Sequence, residues 1–311
     1  MRSLLLALAG VAALQAHAND DWQPFPLDQS AYDFSGTKLQ EQWPVLTRGF
    51  NYPFPDAAKV TEMAQRYPEL REQTAFNGDA EAYSQALQDV WRDMFRGDYA
   101  KAKAKGLKLG PAGQVPAMFA QVTYALYLEP NTERKHQLLE EVISRTDAAG
   151  ELVQADTLAQ FGRAYAKARL GEELPIGTVL KRGYTSQIPA ELEQLLKQDQ
   201  QHAFALATLG GYHAGVIRKV GSMMARMTYG ANKGDMEKYF AQSMAVVDDI
   251  PISHFEYANA LTYVYGDDEQ RKVIDHLRLA ANLKPRYAME ALEVELAKKL
   301  LREQETQLAQ R

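Results

Sequence analysis

The sequence predicts an all-α fold made of antiparallel helix pairs. Three observations carry that expectation. From about residue 56 onward the apolar residues recur at helical rather than alternating spacing. Glycine and proline punctuate the chain at intervals of roughly 15 to 20 residues, the length of short helices with tight turns. The stretch between Pro251 and Pro285 reads as one complete pair: Ser253 to Tyr265 runs out, Gly266-Asp267 turns, and Gln270 to Leu283 returns.

Taken in order, residues 1–18 carry Arg2, the apolar run Leu4 to Leu14 and the small-x-small site Ala16-His17-Ala18. These are the three parts of a secretory signal peptide, with cleavage expected after Ala18. The run falls short of the ~18 apolar residues of a membrane span, and no cysteine is present to carry a lipid. The expected location is therefore the periplasm, without a membrane span. Residues 19–55 hold Pro24, Pro26, Pro44, Pro53 and Pro55 among Trp22, Phe25, Tyr32, Phe34, Trp43, Phe50, Tyr52 and Phe54. Proline removes donors and interrupts helices, so this segment reads as an irregular arm. Its aromatic load calls for burial along the helical body.

Residues 56–285 read as a helical-repeat domain. Tyr83, Leu87, Val90 and Met94 make one apolar face, Phe119, Val122 and Leu126 another, and Leu158, Phe161, Tyr165 and Ala168 a third. The Pro251–Pro285 unit spans about 34 residues, the period of a tetratricopeptide repeat, in which two short helices must stack on neighbours to bury their faces. The expected architecture is thus a tetratricopeptide-like solenoid behind an irregular N-terminal arm. Residues 286–311 read as a C-terminal capping helix and polar tail. There Met289, Leu292, Leu296 and Leu300 form the buried stripe, and Glu290, Glu293 and Glu295 precede Lys298, Lys299 and Arg302 on the solvated side.

Composition removes several classes of function. With no cysteine, there are no disulfides, thiolate metal sites or thiol nucleophiles. A net charge of −5 without a basic run disfavours nucleic acid and anionic lipid as partners. His136, His202, His213, His254 and His276 lack the spacing of a helical zinc motif, and Ser222 lacks the glycine frame of a nucleophile elbow. No glycine loop ends in Lys-Ser/Thr to cradle phosphate. Arg96-Gly97-Asp98 falls where a helix pair turns, and Asp267-Asp268-Glu269 reads as a solvated first turn. No catalytic role, cofactor or metal is expected.

Several stretches are similar to known proteins: Phe95 to Ala102 with Gly106 to Pro111; Leu209-Gly210-Gly211-Tyr212-His213-Ala214; Lys219-Val220-Gly221; Thr228 to Ala231; Glu256-Tyr257-Ala258-Asn259; and Ala288-Met289-Glu290 with Glu293-Val294-Glu295. Over roughly residues 80–300 they resemble exported proteobacterial proteins of tetratricopeptide type without a settled activity. More distantly, the chain is similar to the T component of tripartite ATP-independent periplasmic transporters. That resemblance implies an α-helical repeat fold and a role beside a substrate-binding protein.

The densest candidate for ligand binding is the segment 203–231. Its first half is rich in small residues, with Gly211 expected at a close helix crossing, and its second half brings cations together with Met223, Met224 and Met227. Tyr212, His213, Arg218, Lys219, Arg226 and Tyr229 are the candidate ligand-binding residues, the cations to hold a carboxylate and the methionines to accept an apolar body. The same residues also suit helix packing and a solvated face. The leading expectation is a non-catalytic periplasmic helical-repeat protein that offers a surface to a protein or peptide. The alternative is a small-molecule-binding accessory component of a periplasmic transport system, with a small organic acid as ligand.

Overall fold

The computed structural model describes residues 22–310. The expected signal segment, 1–18, and its cleavage site lie outside the described residues. From Trp22 the arm runs along the helical body and buries its aromatics. Trp22 stacks on Tyr124 with ring centroids 4.2 Å apart, and Trp43 stands edge-on to Trp91 and Phe95. Such pairs add about 0.5 to 1.5 kcal/mol each beyond the area they bury. The arm is irregular except for α1 (Lys38–Leu46), whose Leu39, Trp43 and Leu46 share one buried face. Arg48, just beyond α1, ties the arm to distant chain: it pairs with Asp249 at 2.7 Å and with Glu290 at 2.7 Å.

Among the described residues the body is wholly helical, and most boundaries follow from local chemistry. Helix α2 (Ala57–Arg66) starts where Asp56 accepts the Lys59 N–H, and α3 (Pro68–Arg71) is one turn. Asp79 likewise caps α4 (Ala80–Arg96), which ends at Gly97 with φ 92°. That left-handed conformation favours glycine, and a Cβ there would lie 2.8 Å from the Phe25 ring. The Arg96-Gly97-Asp98 tripeptide is therefore a helix end tucked under the arm.

The chain continues through α5 (Tyr99–Lys108), α6 (Pro111–Tyr127), α7 (Thr132–Asp147), the short α8 (Glu151–Ala155) and α9 (Thr157–Glu173). Asn131 and Asp156 cap α7 and α9 by accepting the N–H groups of Arg134 and Ala159. Next come α10 (Ile176–Lys181), α11 (Tyr184–Gln198), α12 (Ala203–Val220), α13 (Ser222–Tyr229) and α14 (Lys233–Val246). The predicted pair is α15 (Pro251–Tyr265) and α16 (Gln270–Asn282), joined by a 3-10 turn at Gly266–Glu269. Pro251 opens α15 at its first turn rather than closing the preceding segment, because the missing proline N–H is harmless there. Helix α17 (Ala288–Ala309) completes the chain.

Helices pack in neighbouring pairs, α4 on α5, α5 on α6, α6 on α7, then α9 on α11, α12 on α14, α15 on α16 and α16 on α17. The array does not stay open. Helix α17 lies on the last pair, as a cap would, and also reaches back to α4. Its first half is accordingly enclosed on both sides, with Leu292 in the core cluster of the arm and α4, and Ala297 in that of α15 and α16. Glu290 and Glu293, expected on the solvated face, are 0% and 1% exposed. Only the last turns beyond Arg302 are largely exposed.

Candidate ligand-binding cavity

Where the array closes, the facing helices leave a cavity of about 70 Å³. Native interiors contain few voids larger than one water, so a space this size in the middle of the packing is a candidate ligand site. Six helices line it with residues at helical spacing. Phe119, Val122 and Leu126 come from α6, Leu158, Phe161, Tyr165 and Ala168 from α9, Phe204, Ala207 and Gly211 from α12, and Met289 and Glu293 from α17. Phe50 from the arm, Trp91 and Phe95 from α4, and Ile252 and Glu256 from α15 complete the wall.

The wall changes character along α9. Three turns are apolar, and the last turn then presents Arg169 and Glu172. Arg169 Nη1 lies 3.0 Å from Glu256 Oε1 and 3.3 Å from Glu172 Oε2, with its guanidinium 5.8 Å from the Tyr165 ring centre. Burial pulls the Arg169 pKa down, but Glu172 and Glu256 outweigh it and push the net value well above the usual range. Burial drives the Glu172 carboxyl up.

Glu293 is the most perturbed acid of the wall. Tyr127 donates its hydroxyl to Glu293 Oε1 at 3.3 Å, while Oε2 is buried without a hydrogen-bond partner. Burial, then the nearby Glu290 and Glu256, push this carboxyl well above the carboxylate range. A buried carboxylate with a free oxygen is costly unless it is protonated or paired.

The candidate residues read from the sequence divide in two. Tyr212 and Lys219 line a smaller cavity of about 40 Å³ that shares Ala168, Glu172 and Gly211 with the central one. Their polar ends are engaged by backbone: Tyr212 donates to Thr185 O at 2.6 Å and Lys219 to Leu174 O at 2.8 Å. Arg218 donates to Glu172 O at 3.2 Å and lies over Tyr263 at 4.3 Å. His213 is a core histidine: its Nδ1 accepts the Asn232 N–H, its ring stacks on Tyr239, and burial lowers its pKa. Arg226 is exposed on α13, and Tyr229 packs against Val216 and Ile217.

Two expectations about this segment are corrected. Met223, Met224 and Met227 are 77%, 52% and 79% exposed, so they line no cleft. Only Ala225 of α13 is buried, which leaves this helix standing out from the body. Gly211 is not at a packed crossing either, since a Cβ there would meet nothing within 4 Å. The close contact is at Gly210, where a Cβ would lie 2.6 Å from the Phe240 ring.

Another histidine is more deeply buried than His213. His202 caps α12 by accepting the Ala205 N–H through Nδ1, and burial lowers its pKa to about 3. A second opening of about 200 Å³ lies beneath the prolines of the arm, between Tyr52, Lys59, Leu152 and Asp156. There the Asp156 carboxylate already accepts the Tyr52 hydroxyl at 2.6 Å and the Ala159 N–H at 2.9 Å, while Lys59 pairs with Glu62. Its one carboxylate, Asp156, is thus hydrogen-bonded within the protein, unlike Glu293 Oε2. No family model, curated protein or solved structure matches the chain.

Proposed function

We propose that the protein is a non-catalytic helical-repeat protein of the periplasm that encloses a small molecule in the central cavity. The observation that carries this reading is the convergence of apolar helix stripes on one space with a charged end, the usual form of a small-molecule site. An accessory place in a periplasmic transport system fits a protein that holds a ligand without transforming it. Native mass spectrometry of the protein isolated from the periplasm tests the reading. A discrete added mass that disappears on denaturation is the expected result, and a protein that neither carries nor takes up any apolar small molecule refutes it.

A second reading, presentation of a surface to a protein or peptide, is favoured by α13. Its three exposed methionines form an adaptable apolar face of the kind used in helix docking. Affinity capture with wild type and a Met223→Ser/Met227→Ser double variant separates the two. Loss of a partner only in the variant supports docking through α13.

A further inference from the structure

We infer that the ligand of the central cavity is an organic amine, whose protonated nitrogen is held by Glu293 and Glu256 while its apolar body lies among Phe119, Phe161 and Tyr165. This rests on the cavity being a ligand site, and three observations carry it further. First, the charged side chains of the wall are unequal: Glu172, Glu256 and Glu293 stand against Arg169 alone. Arg169 is already engaged by two of those carboxylates, so an incoming anion would find no free cation on the wall.

Second, Glu293 lines the cavity, and its Oε2 is buried and accepts no hydrogen bond. An ammonium group supplies three donors and the opposite charge. Third, the neighbouring surface is aromatic, and the faces of Tyr and Phe attract a cation electrostatically. The same ring faces accommodate the hydrocarbon part. The groups around Glu293 agree with this assignment: Tyr127 from α6, Tyr99 from α5, Tyr165 from α9, Glu256 from α15, and Tyr287 and Glu290 from the start of its own helix surround it, and Arg48 acts on it as a cation. Burial and the neighbouring carboxylates push the Glu293 carboxyl up, and an ammonium docked beside it acts in the opposite direction by favouring the charged form.

Calorimetry with phenethylamine, phenethyl alcohol and phenylacetate tests the inference on the full mature chain, because the three share one apolar body and differ in charge. The amine is expected to bind about tenfold or more tighter than the alcohol, and phenylacetate weakest, the range set by one charge-assisted hydrogen bond. Glu293→Gln is expected to remove the amine's advantage while leaving the alcohol's affinity within about threefold. Phenylacetate binding as tightly as the amine, or an amine preference that survives Glu293→Gln in a folded variant, overturns the inference and leaves the cavity reading in place. Should that variant not fold, the wild-type order alone decides. Binding of none of the three at millimolar concentration overturns the cavity reading itself.

Discussion

The central cavity and helix α13 are built from the same residue types and behave in opposite ways. The cavity sets Met94, Met118 and Met289 beside Arg169 and Tyr165, and α13 sets Met223, Met224 and Met227 beside Arg226 and Tyr229. In the cavity the arginine is clamped between carboxylates in surroundings poor in water, so each charge shifts its neighbours. On α13 the arginine and methionines face solvent, where screening makes a charge worth little. Composition proposes a site, but burial decides whether its charges matter.

The sharpest test of the contrast between buried and exposed charge is to remove one of each, the buried one from the contact between the arm and α17. Glu290→Ala strips Arg48 of its buried partner and leaves the Arg286 N–H without its acceptor, so it is expected to cost about 3 to 5 kcal/mol. Arg226→Ala is expected to change stability by no more than about 0.5 kcal/mol. Urea melts of the two variants check this. Equal midpoints would mean that the contact between arm and α17 contributes nothing.

The two glycines of α12 sharpen it further. Gly210→Leu drives a side chain into the buried Phe240 ring, an overpacking cost of about 1 to 3 kcal/mol. Gly211→Leu points into open space on the shared wall of the two cavities, so its melting temperature should stay near wild type while phenethylamine binding is lost. The reverse order of stabilities would show that the helix is rotated from the orientation described.

Glu293 tests the opposite sign. Its folded pKa lies above its unfolded value, so the wild type loses stability as pH rises above the usual glutamate range, about 4.3, toward that raised value. Glu293→Gln removes this loss and is expected to stabilise by about 1 kcal/mol at neutral pH, since the neutral isostere has no ionisation for burial to oppose. Thermal melts from pH 4 to 8 should show the gap widening as pH rises. A flat gap would mean that Glu293 is ionised at no cost, and a gap that shrinks with rising pH that the fold favours its charged form. The smallest effect belongs to α13: Met227→Ser should leave the melting temperature within the change expected of about 0.5 kcal/mol, because the side chain is already in water.

Much of the fold was legible because its causes are local. The caps at Asp79, Asn131 and Asp156 place helix starts through a carboxylate or amide one turn before an apolar stripe. The α15–α16 pair follows from its own spacing, and the arm's aromatics required burial wherever the arm lay. The stripe Leu158, Phe161, Tyr165 and Ala168 was legible too, but as core. Its continuation in register into Arg169 and Glu172 gives the charged end of the cavity, but such a charged last turn is also common at helix ends and did not by itself mark a cavity.

The sequence by itself determined that the chain is helical, where most helices start, and which side of each helix is apolar, because these depend on residues within one or two turns. Tertiary structure alone decided that α17 returns to α4, that Glu290 and Glu293 are enclosed, and that Gly210 rather than Gly211 meets a neighbour. Helical periodicity fixes an apolar face only to within a broad arc, whereas a packed contact depends on rotations much smaller than that arc. The meeting of Arg169, Glu256 and Glu293 likewise depends on how three helices distant in sequence close around a volume they do not fill.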